Sequence, residues 1–126
     1  MKRLCAACLI LVLLLGVSLT CGRALGELTE TCTAHLQTAQ SLAARGDWDG
    51  ARARTGLAFQ LWQRHSLPLH ALTRHTEADQ ILISFRCVEQ YLTLEEMDQY
   101  AAANVTLITQ LELLAEMEQA SLENVL

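Results

Sequence analysis

The densest run of chemistry-bearing side chains is His75-Thr76-Glu77-Ala78-Asp79. On a helix, His75 and Asp79 stand four residues apart and share a face. An imidazole and a carboxylate so placed supply two metal ligands, or one local hydrogen-bonded or ionic pair. Structural zinc takes four ligands and catalytic zinc three plus water. No second His or Cys pair stands nearby at ligand spacing, so the local pair outranks a metal site, and a partner-binding epitope is the other reading. No metal and no cofactor is expected.

The remaining reactive groups say less. Cys5 and Cys8 form a C-x-x-C, but within an apolar run they read as small hydrophobic residues. Cys32 and Cys87 are the two thiols clearly beyond that run. In an up-down bundle their heights differ by ~12 Å at 1.5 Å per residue, more than the ~7 Å a disulfide allows between Cα atoms. Two separate buried thiols are expected. Glu95/Glu96 and Glu112/Glu116 are pairs that any acidic helix contains. Gly-rich phosphate loops, nucleophile elbows and H-E-x-x-H motifs are absent from the sequence, so no catalytic residue is named and the chain is expected not to be an enzyme.

What must position these groups begins with an apolar leader. Lys2 and Arg3 precede a charge-free run from Leu4 to Gly22, 19 residues long. Spanning helices take about 17–25 residues and signal-peptide cores about 7–15. Residues 1–26 are therefore a membrane anchor or signal segment, with Lys2 and Arg3 on the cytoplasmic side. Residues 27–126 form an extracytoplasmic helical domain. A retained single-pass anchor fits the length best. Secretion after cleavage following Ala24-Leu25-Gly26, or a lipoprotein formed at Cys21, are the alternatives.

A chain of 126 residues has room for one domain. Its centre is Gly46-Asp47-Trp48, where Gly46 ends one helix and Asp47 caps the next. Trp48, Ala51, Thr55, Ala58, Trp62 and His65 then recur at steps of three and four, one stripe of an amphipathic helix. Aromatic residues are only 5% of the chain, so two indoles on this stripe should dominate its core. The preceding helix, 27–45, carries Leu28, Cys32, Leu36 (with His35), Ala39 and Leu42/Ala43. A third helix is predicted from about Leu67, with Pro68 in its first turn, to Tyr91 or Leu92. It turns Leu69, Leu72, Ile81/Leu82, Phe85, Val88 and Leu92 inward, and Thr76-x-x-Asp79 marks a bend or second start near His75. Thr93-Leu94-Glu95-Glu96 reads as a capping box for a fourth helix. That helix carries Met97, Ala101, Val105, Ile108, Leu111, Leu114 and Met117 and ends near Gln119. The fold class is all-α: an N-terminal membrane helix and an antiparallel bundle of about four helices. Two successive hairpins also fit tetratricopeptide-like packing, although the full repeat pattern is missing.

Charge narrows the partners. From residue 27 to 88 six acids balance six arginines, and from Glu89 onward there are eight acids and no Lys or Arg. Such a surface repels phosphate backbones, so nucleic acid is not a partner. A solvated face is the simplest use of the acids.

The basic start and apolar anchor, Gly46-Asp47-Trp48-x-x-Ala51, Trp62, His75-x-Glu77-x-Asp79 and Ser121-Leu122-Glu123-Asn124-Val125-Leu126 together resemble one family. It is the DUF4363 family, short membrane-anchored helical proteins of unknown function from Gram-positive, often spore-forming, bacteria. Members often have Ile between the Glu and Asp of the His motif, where this chain has Ala78. The resemblance implies membrane location, a helical fold and no established activity. Members encoded beside a multi-pass membrane protein imply a membrane complex. The function expected is thus a non-catalytic interaction or accessory subunit with a membrane-protein partner. The alternative is a small-ligand or divalent-cation-binding exported protein. Candidate interaction residues are His75, Glu77, Asp79, Leu122, Glu123 and Asn124; candidate core residues are Trp48, Ala51, Trp62 and Phe85.

Overall fold

A computed structural model describes the backbone of residues 1–69 and 75–125, and all side chains there except those of 21–22, 65–69, 75–77, 118–119 and 121–125. It holds four helices: α1 (Lys2–Ala44), α2 (Trp48–Leu69), α3 (His75–Leu94) and α4 (Met97–Val125). No strand occurs among the described residues. Each helix packs on two others, α1 on α2 and α4, and α3 on α2 and α4. Pairs such as Cys32 with Ala58, Phe59 with Phe85, and Ser84 with Gln110 run in opposite chain directions, so neighbours are antiparallel.

The apolar run and the first bundle helix are one continuous helix. α1 runs through Gly22 and Gly26 without interruption, about 65 Å at 1.5 Å per residue. No residue from 1 to 20 is buried, and the core begins at Leu25, 2% exposed. From there Leu28, Cys32, Leu36, Ala39 and Ala43 are buried on one stripe, with Leu42 half-buried beside it.

The two described turns share one geometry. Gly46 (φ 85°) sends its N–H to Ala43 O at 2.9 Å, and Asp47 N–H reaches Leu42 O at 2.9 Å. These two bonds are the Schellman pair that closes a helix C-terminus. Asp47 then accepts from Gly50 N–H at 3.0 Å and caps α2. At the other turn Glu95 (φ 55°) bonds Leu92 O and Glu96 N–H bonds Tyr91 O. The expected capping box therefore does not form. Thr93 instead donates back to Glu89 O at 3.0 Å, because α3 extends to Leu94 and Glu95 occupies the left-handed position.

Pro68 was placed at a helix start, yet it lies near the end of α2. Only Leu69 follows it, so the missing N–H falls in the last turn rather than mid-helix. α3 begins instead at His75, at the second start signal. Leu69 belongs to α2, its side chain lies outside the described residues, and Leu72 lies outside them altogether. So does the side chain of His65. Ile81, Phe85, Val88 and Leu92 are buried on α3, while Leu82 is exposed. On α2, Ala51, Thr55, Ala58 and Trp62 are buried, Phe59 joins them, and Trp48 is half-buried against the core.

α4 turns a different face inward than its aliphatic residues suggest. Tyr100, Asn104, Leu107, Leu111 and Leu114 are buried, whereas Val105 is 55% and Met117 48% exposed. Met97, Ala101 and Ile108 are intermediate. Two polar-tipped residues fix this phase. Tyr100 packs edge-on against Trp48 with ring centroids 6.1 Å apart. Asn104 Nδ2 donates to Leu36 O at 3.1 Å and to Gln40 Oε1 at 2.9 Å. α4 also continues past Gln119 to Val125.

Two outcomes are expected in thermal or urea unfolding of the detergent-solubilised chain. Trp62→Ala should cost ~3–5 kcal/mol, since the ring is buried. The turns should respond oppositely: Gly46→Ala should cost ~1–2 kcal/mol of left-handed strain, while Glu95→Gly should gain up to ~1 kcal/mol. Added atoms at Gly46 meet nothing within 4 Å, so only backbone strain is at issue there. The Arg52–Glu95 ion pair at 3.7 Å is exposed and weighs little against it.

Candidate functional site

The candidate interaction residues lie far apart in sequence, yet the antiparallel register brings them to one end. His75, Glu77 and Asp79 occupy the first turns of α3. Leu122, Glu123 and Asn124 occupy the last turns of α4. The Ser84–Gln110 hydrogen bond sets the register of the two helices, and counting outward puts His75 level with about residue 119. This is also the end from which α1 leaves the bundle toward its apolar run. Asp79 is exposed; the side chains of the other five lie outside the described residues. Ala78 is buried, so an Ile here would need added room in the core.

A shallow cavity of about 190 Å³ opens at this end between α3 and α4. Ile81 and Leu114 form its floor, Leu113 and Met117 its apolar rim, and Gln80 and Gln110 its polar side. A larger, more open groove of about 470 Å³ follows the α1–α4 seam, with Gln37, Gln40, Thr109 and the exposed Val105 among its walls. Neither holds an arrangement of nucleophile, base and donor. Among the described residues, no three His, Cys, Asp or Glu side chains gather closely enough to hold a metal.

The polar chemistry of the described bundle is mostly internal and structural. Arg52 Nη1 donates to Leu92 O at 3.0 Å, capping the C-terminus of α3 from α2. Arg86 stacks over the Phe59 ring at 5.1 Å, and Phe59 packs on Phe85 at 5.2 Å. Arg54 approaches His35 Nδ1 at 3.3 Å. Cys32 and Cys87 are both free thiols, so the cysteines stay apart. Only Cys32 is buried, however; Cys87 faces outward from α3, one position from the inward Val88. Cys32 Sγ lies 3.5 Å from Ala58 O, and burial pushes its pKa up to about 11.

Sequence reasoning turned Thr55 inward but missed the buried polar residues of α4, Tyr100 and Asn104. Thr55 Oγ1, Tyr100 Oη and Asn104 Oδ1 have no hydrogen-bond partner among the described residues. Burial pushes the Tyr100 pKa up to about 12, and the Thr55 hydroxyl offsets part of the rise without reaching hydrogen-bond geometry. The signal for the two α4 residues in the sequence was the i, i+4 spacing of Tyr100 and Asn104.

Both raised groups are neutral in the folded state over a wider range than in the unfolded chain. Their contribution is complete below pH 9 and is lost as pH rises through 9–11 for Cys32 and 10–12 for Tyr100. Unfolding followed against pH should show stability falling through this alkaline range, and Tyr100→Phe should flatten the upper part. At neutral pH Tyr100→Phe should be neutral or slightly stabilising, since the hydroxyl it removes is buried without a partner.

No curated protein and no solved structure matches this chain. A family model described as a domain of unknown function, DUF4363, matches residues 20–125, the last three residues of the apolar run and almost all of the bundle. The chain belongs to the DUF4363 family.

Proposed function

We propose that this chain is a retained, membrane-anchored, non-catalytic helical module, held outside the cytoplasm as an accessory subunit of a membrane-protein complex. The observation that carries this reading is the continuity of α1. One helix includes an apolar stretch with a mean hydropathy of 2.7, none of it buried, and the first wall of the bundle core. Cleavage after Gly26 would remove Leu25, 2% exposed in that core, and the Gly26 carbonyl that accepts from Thr29 at 3.0 Å. A removable signal would be expected to leave the core intact. Lys2 and Arg3 before the run favour a cytoplasmic N-terminus, which puts the acidic bundle on the far side.

A bundle held beside the bilayer by its own first helix, without a catalytic constellation among its described side chains, suits contact with a neighbouring membrane protein. Two measurements test the reading. Intact mass of the chain extracted from membranes should include residues 1–26; a product beginning at Glu27 would overturn the anchor. Crosslinking in native membranes should give a discrete heavier species containing a second membrane protein. Recovery of the chain alone, at every crosslinker length, would overturn the accessory-subunit role.

A further inference from the structure

α4 is longer than α2 and α3, and where its excess lies is fixed by one interaction. Asn104 Nδ2 bonds Leu36 O and Gln40 Oε1, so residue 104 of α4 is level with residues 36–40 of α1. From there the antiparallel helices run outward together at 1.5 Å per residue. Met117 falls level with residues 23–27, where the apolar run has just ended. The eight further residues to Val125 fall level with the last turns of that run, and Val125 itself lies opposite Leu15–Leu19.

A second observation agrees. Leu15 and Leu19 are each 39% exposed, while the exposed Leu, Ile and Val residues from Leu4 to Val17 otherwise range from 57 to 71%. The two shielded residues are one turn apart on one face, at the height the register assigns to the end of α4.

We infer that the C-terminal turns of α4, from Leu113 to Val125, form a second membrane contact lying in the headgroup and upper acyl region of the leaflet nearest the bundle. The inference rests on the retained anchor. The charge-free run of 19 residues is ~28 Å long, close to the ~30 Å hydrocarbon thickness, so it has no turns to spare outside the bilayer. Whatever travels beside residues 15–22 therefore travels into the interface. Leu113 and Met117, both about half exposed, form the apolar outer edge of this contact at the headgroup level. The sequence beyond them alternates apolar Ala120, Leu122 and Val125 with polar Glu118, Glu123 and Asn124, a composition suited to a hydrated boundary rather than to hydrocarbon.

The test uses the full natural chain in phosphatidylcholine vesicles doped with a phosphatidylcholine that carries a photoactivatable diazirine near the glycerol end of one acyl chain. After illumination, labelled peptides are mapped by mass. Label is expected within 4–22 and also within 113–125, the latter several-fold above 89–105 at the opposite end. Label within 4–22 but at background within 113–125 would overturn the second contact and leave the anchor standing. Label in neither would overturn both.

Discussion

Apolar helix faces slide past one another by a turn at little cost, and α4 is held at one height on α1 by a buried amide. Asn104 donates both its hydrogens, one to Leu36 O and one to Gln40 Oε1. Moving α4 by a turn would leave those donors buried without acceptors, at ~1–3 kcal/mol each. That exceeds what exchanging one aliphatic contact for another would recover. Setting register is the best-attested use of a lone buried polar residue between helices. The Trp48–Tyr100 contact, the shape of the α1–α4 groove and the height reached by Val125 follow from this choice.

The other seams are built differently. Where α1 meets α2, Ala39, Ala43, Ala51 and Ala58 are all buried, and small side chains let the backbones approach until Cys32 Sγ touches Ala58 O at 3.5 Å. Between α2 and α3 the filling is by rings, Phe59 on Phe85, with Trp62 also buried, so these helices stand further apart. Arg52 reaches across to Leu92 O and joins them at the turn end. The result is a tight α1–α2 hairpin on which α3 and α4 lean, with its open seam along α4.

The α1–α2 hairpin was legible in the sequence because its inward residues are small or aliphatic and keep steps of three and four on either side of Gly46. α4 was misphased for the opposite reason. Its inward positions include Tyr100 and Asn104, whose polar tips resemble surface residues, while Val105 and Met117 point outward where an aliphatic stripe draws the eye. The Glu95 turn was hidden because Gly normally holds that left-handed place, and Glu there imitates a capping box. Pro68 misled through its position: a proline near a helix end reads equally as the next helix's beginning. The candidate site could not be found from sequence as one place. Residues 75–79 and 117–125 come level only through an antiparallel register that depends on Ser84–Gln110 and Asn104–Leu36, pairings 26 and 68 residues apart.

The charge distribution becomes intelligible on the same geometry. Asp47, Asp49, Glu95, Glu96 and Asp98 surround the two turns at the end away from the apolar run. α2 alone is 22 residues, ~33 Å, so with α1 in a bilayer these acids stand several Debye lengths of ~8 Å from any anionic headgroup. Their repulsion from the membrane is screened. At the other end, nearest the apolar run, the described acids Glu27, Glu30, Asp79, Glu112 and Glu116 are exposed as well. Acids thus hydrate both ends of the bundle, and those nearest the apolar run would repel an anionic leaflet. Close approach of that end therefore suits a zwitterionic headgroup layer rather than an anionic one.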